Sequence, residues 1–185
     1  MIYIIAGIAK AGKTFITNHL VKSKKIGYFS TDLLMMSLAN GNKAIGINPN
    51  ASDVTVSNQL KPYLEAMIQT IIENKIDYIF EGVHFQPDFV RYLLNKHASN
   101  IKVIFLGYRL IDTSKKVEEL KKFGPNTQNH WYSHLDNQAL TQLVEYLKNE
   151  CQIMFEACMT LNLPYYEVEN IVQQTNEIMD ILLNN

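Results

Sequence analysis

The sequence predicts an α/β domain in three layers, a five-stranded parallel sheet with helices on both faces. Short continuous apolar runs alternate with longer stretches of helical period along the 185 residues, the pattern of right-handed β-α-β crossovers. The runs lack the every-other-residue polar interruption of a half-exposed strand, so both sheet faces must be covered. The first run also passes directly through a glycine-bounded turn into a helical stretch.

In chain order, the first strand is Ile2 to Ala6, followed by a helix over Thr14 to Val21 and a second strand over Ile26 to Ser30. Asn40 to Asn58 is rich in Asn, Gly and Ser and reads as loop. Leu60, Leu64, Met67, Ile68, Ile71 and Ile72 then form a three-four helical stripe. Pro62 must sit in the first turn of that helix or kink it. The third strand spans Tyr78 to Glu81, and Pro87 to Asn95 is a short helix with proline at a favourable first position. The fourth strand is Ile101 to Gly107. Residues 109–137 form a long excursion carrying Lys115, Lys116, Lys121, Lys122 and the single Trp131, a length typical of lids and binding loops. A stripe through Leu140, Leu147, Cys151, Met154 and Cys158 marks a long helix, Tyr165 to Val168 the fifth strand, and Ile171 to Leu182 the last helix. The whole of 1–185 reads as one domain with a lid at about 109–137.

Hydrophobic residues make up 47% and charged residues 19% of the chain, which excludes a disordered tail protein. Seventeen basic and 18 acidic side chains leave a formal charge of -1, so a basic sheath for nucleic acid is not expected. Only two of the cations are arginines, Arg91 and Arg109, which limits bidentate grip on phosphates or carboxylates. Cys151 and Cys158 are seven residues apart on one helix face and read as core thiols in a reducing, cytoplasmic setting. The first apolar run has no basic leader and is too short to span a membrane. Oligomeric state, monomer or homodimer, is open.

The decisive motif is Gly7-Ile8-Ala9-Lys10-Ala11-Gly12-Lys13-Thr14, which matches the P-loop (Walker A) pattern at every fixed position, between a strand and a helix. Gly7 and Gly12 let the backbone bend close to a polyphosphate. The amides of this loop and the helix N-terminus would face the anion. Lys13 would reach the β- and γ-phosphates, and Thr14 would offer its hydroxyl to Mg²⁺.

Ser30-Thr31-Asp32 ends the second strand and Glu81-Gly82-Val83-His84 the third. In open parallel sheets ligands lie beyond the carboxyl ends of the strands, so both acids should project toward the P-loop crevice. Transfer of a phosphoryl group to an alcohol needs an acceptor for the hydroxyl proton, the role expected of Asp32, and a group organising Mg²⁺, the role expected of Glu81 with Thr14. Asp32 could instead be the N-cap of a helix from Leu33.

At this point the chain resembles the P-loop kinases of the nucleoside- and nucleotide-kinase group. Glu81-Gly82-Val83-His84 is similar to a motif of 2-phosphoglycerate kinases and to the Glu-Gly step of uridine kinases. The resemblance implies ATP as donor, Mg²⁺ as cofactor and a small-molecule acceptor under the lid, faced by Asp32. It also implies lid arginines, and here the sequence departs. Arg109 stands at the start of the lid and only lysines follow it. Either the lysines substitute, Arg109 reaches in, or catalysis is weak.

The function expected is therefore an ATP-dependent phosphotransferase acting on an alcohol. A nucleoside monophosphate kinase and a nucleotide-binding regulatory NTPase without acceptor are the alternatives. Asn74-Lys75-Ile76-Asp77 matches a guanine-reading pattern in letters but precedes a strand instead of following one. His130 and His134 have metal-pair spacing without a third ligand. His84 either binds substrate or turns inward, and Tyr165 and Tyr166 read as sheet packing.

Overall fold

The structure, a computed structural model, describes residues 1–126 and 131–184. Strands β1 (Ile2–Gly7), β2 (Gly27–Ser30), β3 (Tyr78–Gly82), β4 (Ile101–Gly107) and β5 (Tyr165–Glu167) form one sheet in the order β2-β3-β1-β4-β5. Every pairing is parallel. The helices are α1 (Lys13–Lys24), α2 (Thr31–Gly41), α3 (Asp53–Glu73), α4 (Pro87–His97), α5 (Thr113–Phe123), α6 (Asn137–Thr160) and α7 (Ile171–Asn184). Helices α1 and α7 pack together on one face, and α4 and α6 cover the other. Helix α3 lies beside α4, joined to it by Lys61–Asp88 and Lys96–Glu65 ion pairs. No helix among the described residues is long and apolar enough to cross a membrane.

All six residues of β1 are buried, as a strand between two neighbours and two helical layers requires. The edge strand β2 is by contrast half-exposed to exposed. Chain connections leave β1 toward β2 and β3 on one side and return to β4 and β5 on the other. The crevice beyond the carboxyl end of β1 is thus the topological switch point, where open α/β sheets take ligands.

Two stretches differ from the sequence expectation. Residues 40–58 are not loop throughout: Ser52 caps α3 by accepting from the Thr55 amide, and the helix starts at Asp53. Pro62 consequently lies deep inside α3, not in its first turn. The carbonyl that its missing N–H leaves without a partner belongs to Asn58, which is exposed, so water can satisfy it. The excursion 109–137 also contains a helix, over 113–123. Helix α5 packs on the N-terminal half of α6 around its own apolar cluster of Val117, Leu120, Tyr132, Leu140 and Val144. Cys151 and Cys158 are buried on one face of α6, where burial pushes their thiols up to about 11 and about 12.

Candidate active site

Sheet register brings the motif residues together. Ile5 of β1 pairs with Glu81 of β3, and Glu81 with Ser30 of β2, so the last residues of three strands end beside the glycine-rich turn. Beyond Gly7 the backbone turns through left-handed residues at Lys10 (φ 63°) and Gly12 (φ 90°) before α1 opens. Such turns aim successive amides at one point. Gly7 is required sterically: a Cβ there would fall 2.0 Å from the Leu106 carbonyl oxygen on β4.

Lys13 sits at the base of the turn, buried, and its Nζ donates to the Ile8 carbonyl at 2.7 Å. Burial lowers its pKa, opposed by the carboxylates of Glu81, Asp32 and Asp53. Thr14 Oγ1 donates to the two oxygens of Glu81 at 3.2 and 3.1 Å, and Thr17 Oγ1 to Oε2 at 3.4 Å. Glu81 is only 7% exposed. A buried carboxylate met by hydroxyls and a neighbouring ammonium is matched in polarity.

On the β2 side, Ser30 rather than Asp32 caps α2, its hydroxyl accepting from the Asp32 amide at 3.3 Å. Asp32 is therefore not the helix cap. Its side chain is 46% exposed, with Oδ1 3.8 Å from His84 Nδ1. His84 does turn inward: it is 2% exposed and hydrogen-bonded through Nδ1 to Thr31 Oγ1 at 2.8 Å. Burial lowers its pKa, against the pull of Asp32 and Asp53, so the ring is neutral at pH 7. Gly82 permits this approach, because a Cβ there would lie 1.7 Å from Thr31 Oγ1.

The lid lysines divide. Lys115, Lys121 and Lys122 are exposed, while Lys116 is buried and donates to the Lys10 carbonyl at 3.0 Å. Its Nζ also pairs with Glu119 at 2.8 Å and lies 4.3 Å from the Tyr108 ring centroid. Tyr108 Oη donates to the Ala9 carbonyl at 3.0 Å, and Lys10 Nζ stands over the Tyr132 ring at 4.9 Å. Burial lowers the Lys10 pKa first, and the nearby ammoniums of Lys13 and Lys116 lower it further. Three lysine cations thus converge on one loop.

Arg109 is not brought to that group. Its Nε lies 3.2 Å from Glu167 Oε2 on β5, and its guanidinium stacks 4.0 Å from the Phe155 ring centroid on α6. Asn74-Lys75-Ile76-Asp77 forms the turn into the amino end of β3, with Lys75 at φ 55°, at the end of the strands opposite the P-loop. Of the two spaced histidines, His134 is exposed and His130 lies outside the described residues. Among the described residues no three His, Cys, Asp or Glu side chains cluster as a metal cage. Mg²⁺ is typically held by one or two protein oxygens plus substrate phosphates, and Thr14 with Glu81 fits that smaller demand. The sequence reading assigned no role to Thr17, Thr31 or Asp53, and it named Lys116 only as one of four lid lysines. Thr17 is one helical turn after Lys13 and could have been found by that spacing.

No family model matches the chain, and no curated protein does. Solved structures do. Shikimate kinase from Bacteroides thetaiotaomicron superposes with a TM-score of 0.59 at 11% identity, over 99% of this chain and 98% of that one. A gluconokinase from Sinorhizobium meliloti gives 0.55 at 12%, over 98% and 91%. Deoxyadenosine kinase from M. mycoides gives 0.50 at 17%, over the full length of both. The fold is that of P-loop kinases, and at these identities the likeness extends to the fold alone.

Proposed function

We propose that the protein is a P-loop small-molecule kinase, moving the γ-phosphoryl group of ATP to a hydroxyl. The observation that carries this reading is the meeting of Thr14 and Glu81 beside Lys13, with Asp32 opening on the same crevice. The neighbours named for shikimate, gluconate and deoxyadenosine kinases support the same reaction class. The finer likeness to 2-phosphoglycerate and uridine kinases rests on Glu81–His84 alone.

The roles follow from the geometry. The loop amides, Lys13, and the neighbouring Lys10 and Lys116 hold the polyphosphate. Lys13 and Lys116 now donate to loop carbonyls, contacts that phosphate oxygens would replace. Mg²⁺, when bound, neutralises phosphate charge, and Thr14 and Glu81 are the residues that would hold it, directly or through water. Asp32 accepts the proton of the acceptor hydroxyl as that oxygen bonds to the γ-phosphorus. The bond to the β-phosphate oxygen breaks and ADP leaves.

Titration calorimetry with ATP and Mg²⁺ tests the donor side. Lys13→Ala should weaken ATP binding at least about tenfold and abolish turnover, with little change in the far-UV circular dichroism spectrum. Unchanged affinity and turnover in a folded variant would sink the assignment. A regulatory NTPase would bind ATP equally well but transfer nothing to any alcohol.

A further inference from the structure

If the crevice transfers a phosphoryl group as proposed above, its charge decides which acceptors it takes. The acceptor side is built by the start of α2, the turn after β3 and the start of α3. Ser57, one turn into α3, donates to the His84 carbonyl at 2.6 Å, tying α3 to that turn. This anchoring sets the first turn of α3, which Asp53 begins, beside the turn after β3. The carboxylates of Asp53 and Asp32 interact electrostatically with each other, with His84 and with Lys13. Asp53 reaches solvent, yet the surrounding protein desolvates it enough to raise its pKa despite His84 and Lys13 nearby.

Among the described residues, both guanidiniums and Lys61 are held elsewhere. Arg91 donates its guanidinium to the Leu161 and Asn162 carbonyls at the end of α6, with Nη2 2.7 Å from the latter. Arg109 is held by Glu167 and Phe155. Lys61, two turns along α3 from Asp53, pairs with Asp88 at 2.8 Å. Lys43 is exposed on the short 3₁₀ turn after α2. Lys13 serves the donor. His84, neutral at pH 7, adds no positive charge. An acceptor carboxylate or phosphate would therefore meet two aspartates without a guanidinium to offset them, and like charges brought together are strongly disfavoured.

We propose that the acceptor is a polyhydroxyl molecule without a carboxylate or phosphate, either neutral or amine-bearing. Asp53 binds one of its hydroxyl or amino groups while Asp32 takes the proton of the reacting hydroxyl. The balance is that of the reaction above: one phosphorus–oxygen bond forms at the acceptor and one breaks at ADP.

The test is ADP release by the full chain with ATP and Mg²⁺ over matched acceptor pairs: adenosine and AMP, thymidine and its 5′-monophosphate, sorbitol and gluconate, glycerol and glycerate. Kanamycin supplies the amine-bearing arm. Calorimetry measures ATP binding in parallel. In each pair that is turned over, the uncharged member should exceed its anionic partner at least about tenfold in kcat/KM. Asp53→Asn should raise the KM of the accepted molecule several-fold, leaving kcat and the KM for ATP within about twofold. Preference for an anionic member overturns the proposal while leaving the kinase reading intact. ATP binding with no transfer to any member, kanamycin included, removes the kinase reading and this proposal with it. An unchanged acceptor KM in a folded Asp53→Asn variant removes Asp53 from the acceptor site.

Discussion

Replacing Asp32 by asparagine separates a proton acceptor from a structural residue, because the structure relieves Asp32 of the capping role. Ser30 holds the α2 N-terminus, so Asp32→Asn removes no cap. With the side chain 46% exposed, the loss of stability should stay below about 1 kcal/mol, mostly from losing a carboxylate in a first helical turn. That is a fall in Tm of at most roughly 4 °C for a chain of this size. ATP affinity should stay within a few-fold of wild type, since in the proposed reading Asp32 faces the acceptor and not the donor. Transfer should fall by a factor on the order of 10² or more, the usual cost of a lost positioned acid or base. That factor corresponds to about 2.7 kcal/mol of transition-state free energy, well above the stability change. Thermal unfolding, ATP calorimetry and acceptor-dependent ADP release on one preparation make the comparison. Transfer within a few-fold of wild type would remove Asp32 from the chemistry. A collapse of Tm together with activity would mean its role is structural after all.

Two further outcomes follow from the same group of residues. Gly82→Ala sets a Cβ 1.7 Å from Thr31 Oγ1 at a left-handed φ of +156°, so overpacking and strain together should cost roughly 2–5 kcal/mol, and differential scanning calorimetry showing a Tm loss under about 2 °C would contradict the geometry. The lowered pKa of buried His84 makes stability depend on pH. Above the unfolded-state value of 6.5 its contribution is complete. As pH falls below that, the unfolded chain takes up a proton that the fold resists, and stability is lost by at most about 1.4 kcal/mol per pH unit until the folded value is passed. His84→Gln should flatten the slope of stability between pH 7 and 5.5, and an identical slope in the variant would refute the assignment.

What the sequence made legible was decided by local rules. The buried β1, the glycine-rich turn and the acid after β3 each follow from short-range pattern, and all five strands fell close to their expected places. The first two turns of α3 were hidden by their surface. Residues 40–58 carry the polar, Asn-rich composition of loops, and the Ser52 cap depends on one hydroxyl. Pro62 argued against the true start of α3, because its cost disappears only where the freed carbonyl faces solvent. Asp53 was invisible for a related reason. Nothing local marks the first residue of a polar helix as part of a crevice, and it is a contact across 27 positions, Ser57 to His84, that ties the start of α3 to the turn after β3. The division among the lid lysines was equally long-range, since Lys116 meets Lys10 over 106 positions of sequence.

The placement of the two arginines explains why the site is built from lysines and aspartates. A guanidinium is a planar fork suited to fixed geometry, and both are used as structural clamps: Arg91 on the carbonyls ending α6, Arg109 between Glu167 of β5 and Phe155 of α6. Arg91 thereby ties α4 to the end of α6, and Arg109 ties the β5 side of the sheet to α6, the long helix that also carries the lid cluster. The loop facing a polyphosphate is left to ammoniums, which are compact charges on flexible stems. Lys13 and Lys116 add to the cost of charging the half-buried Lys10, and a bound polyanion would relieve it. On the other side burial, with a smaller push from Asp32, makes charging Asp53 costly. Charge in the crevice is therefore divided along the fold, cations from the β1–α1 turn and α5, acids from the starts of α2 and α3. A polyphosphate offsets the first group, and an acceptor without negative charge leaves the second unopposed, so one bound pair of substrates satisfies both sides at once.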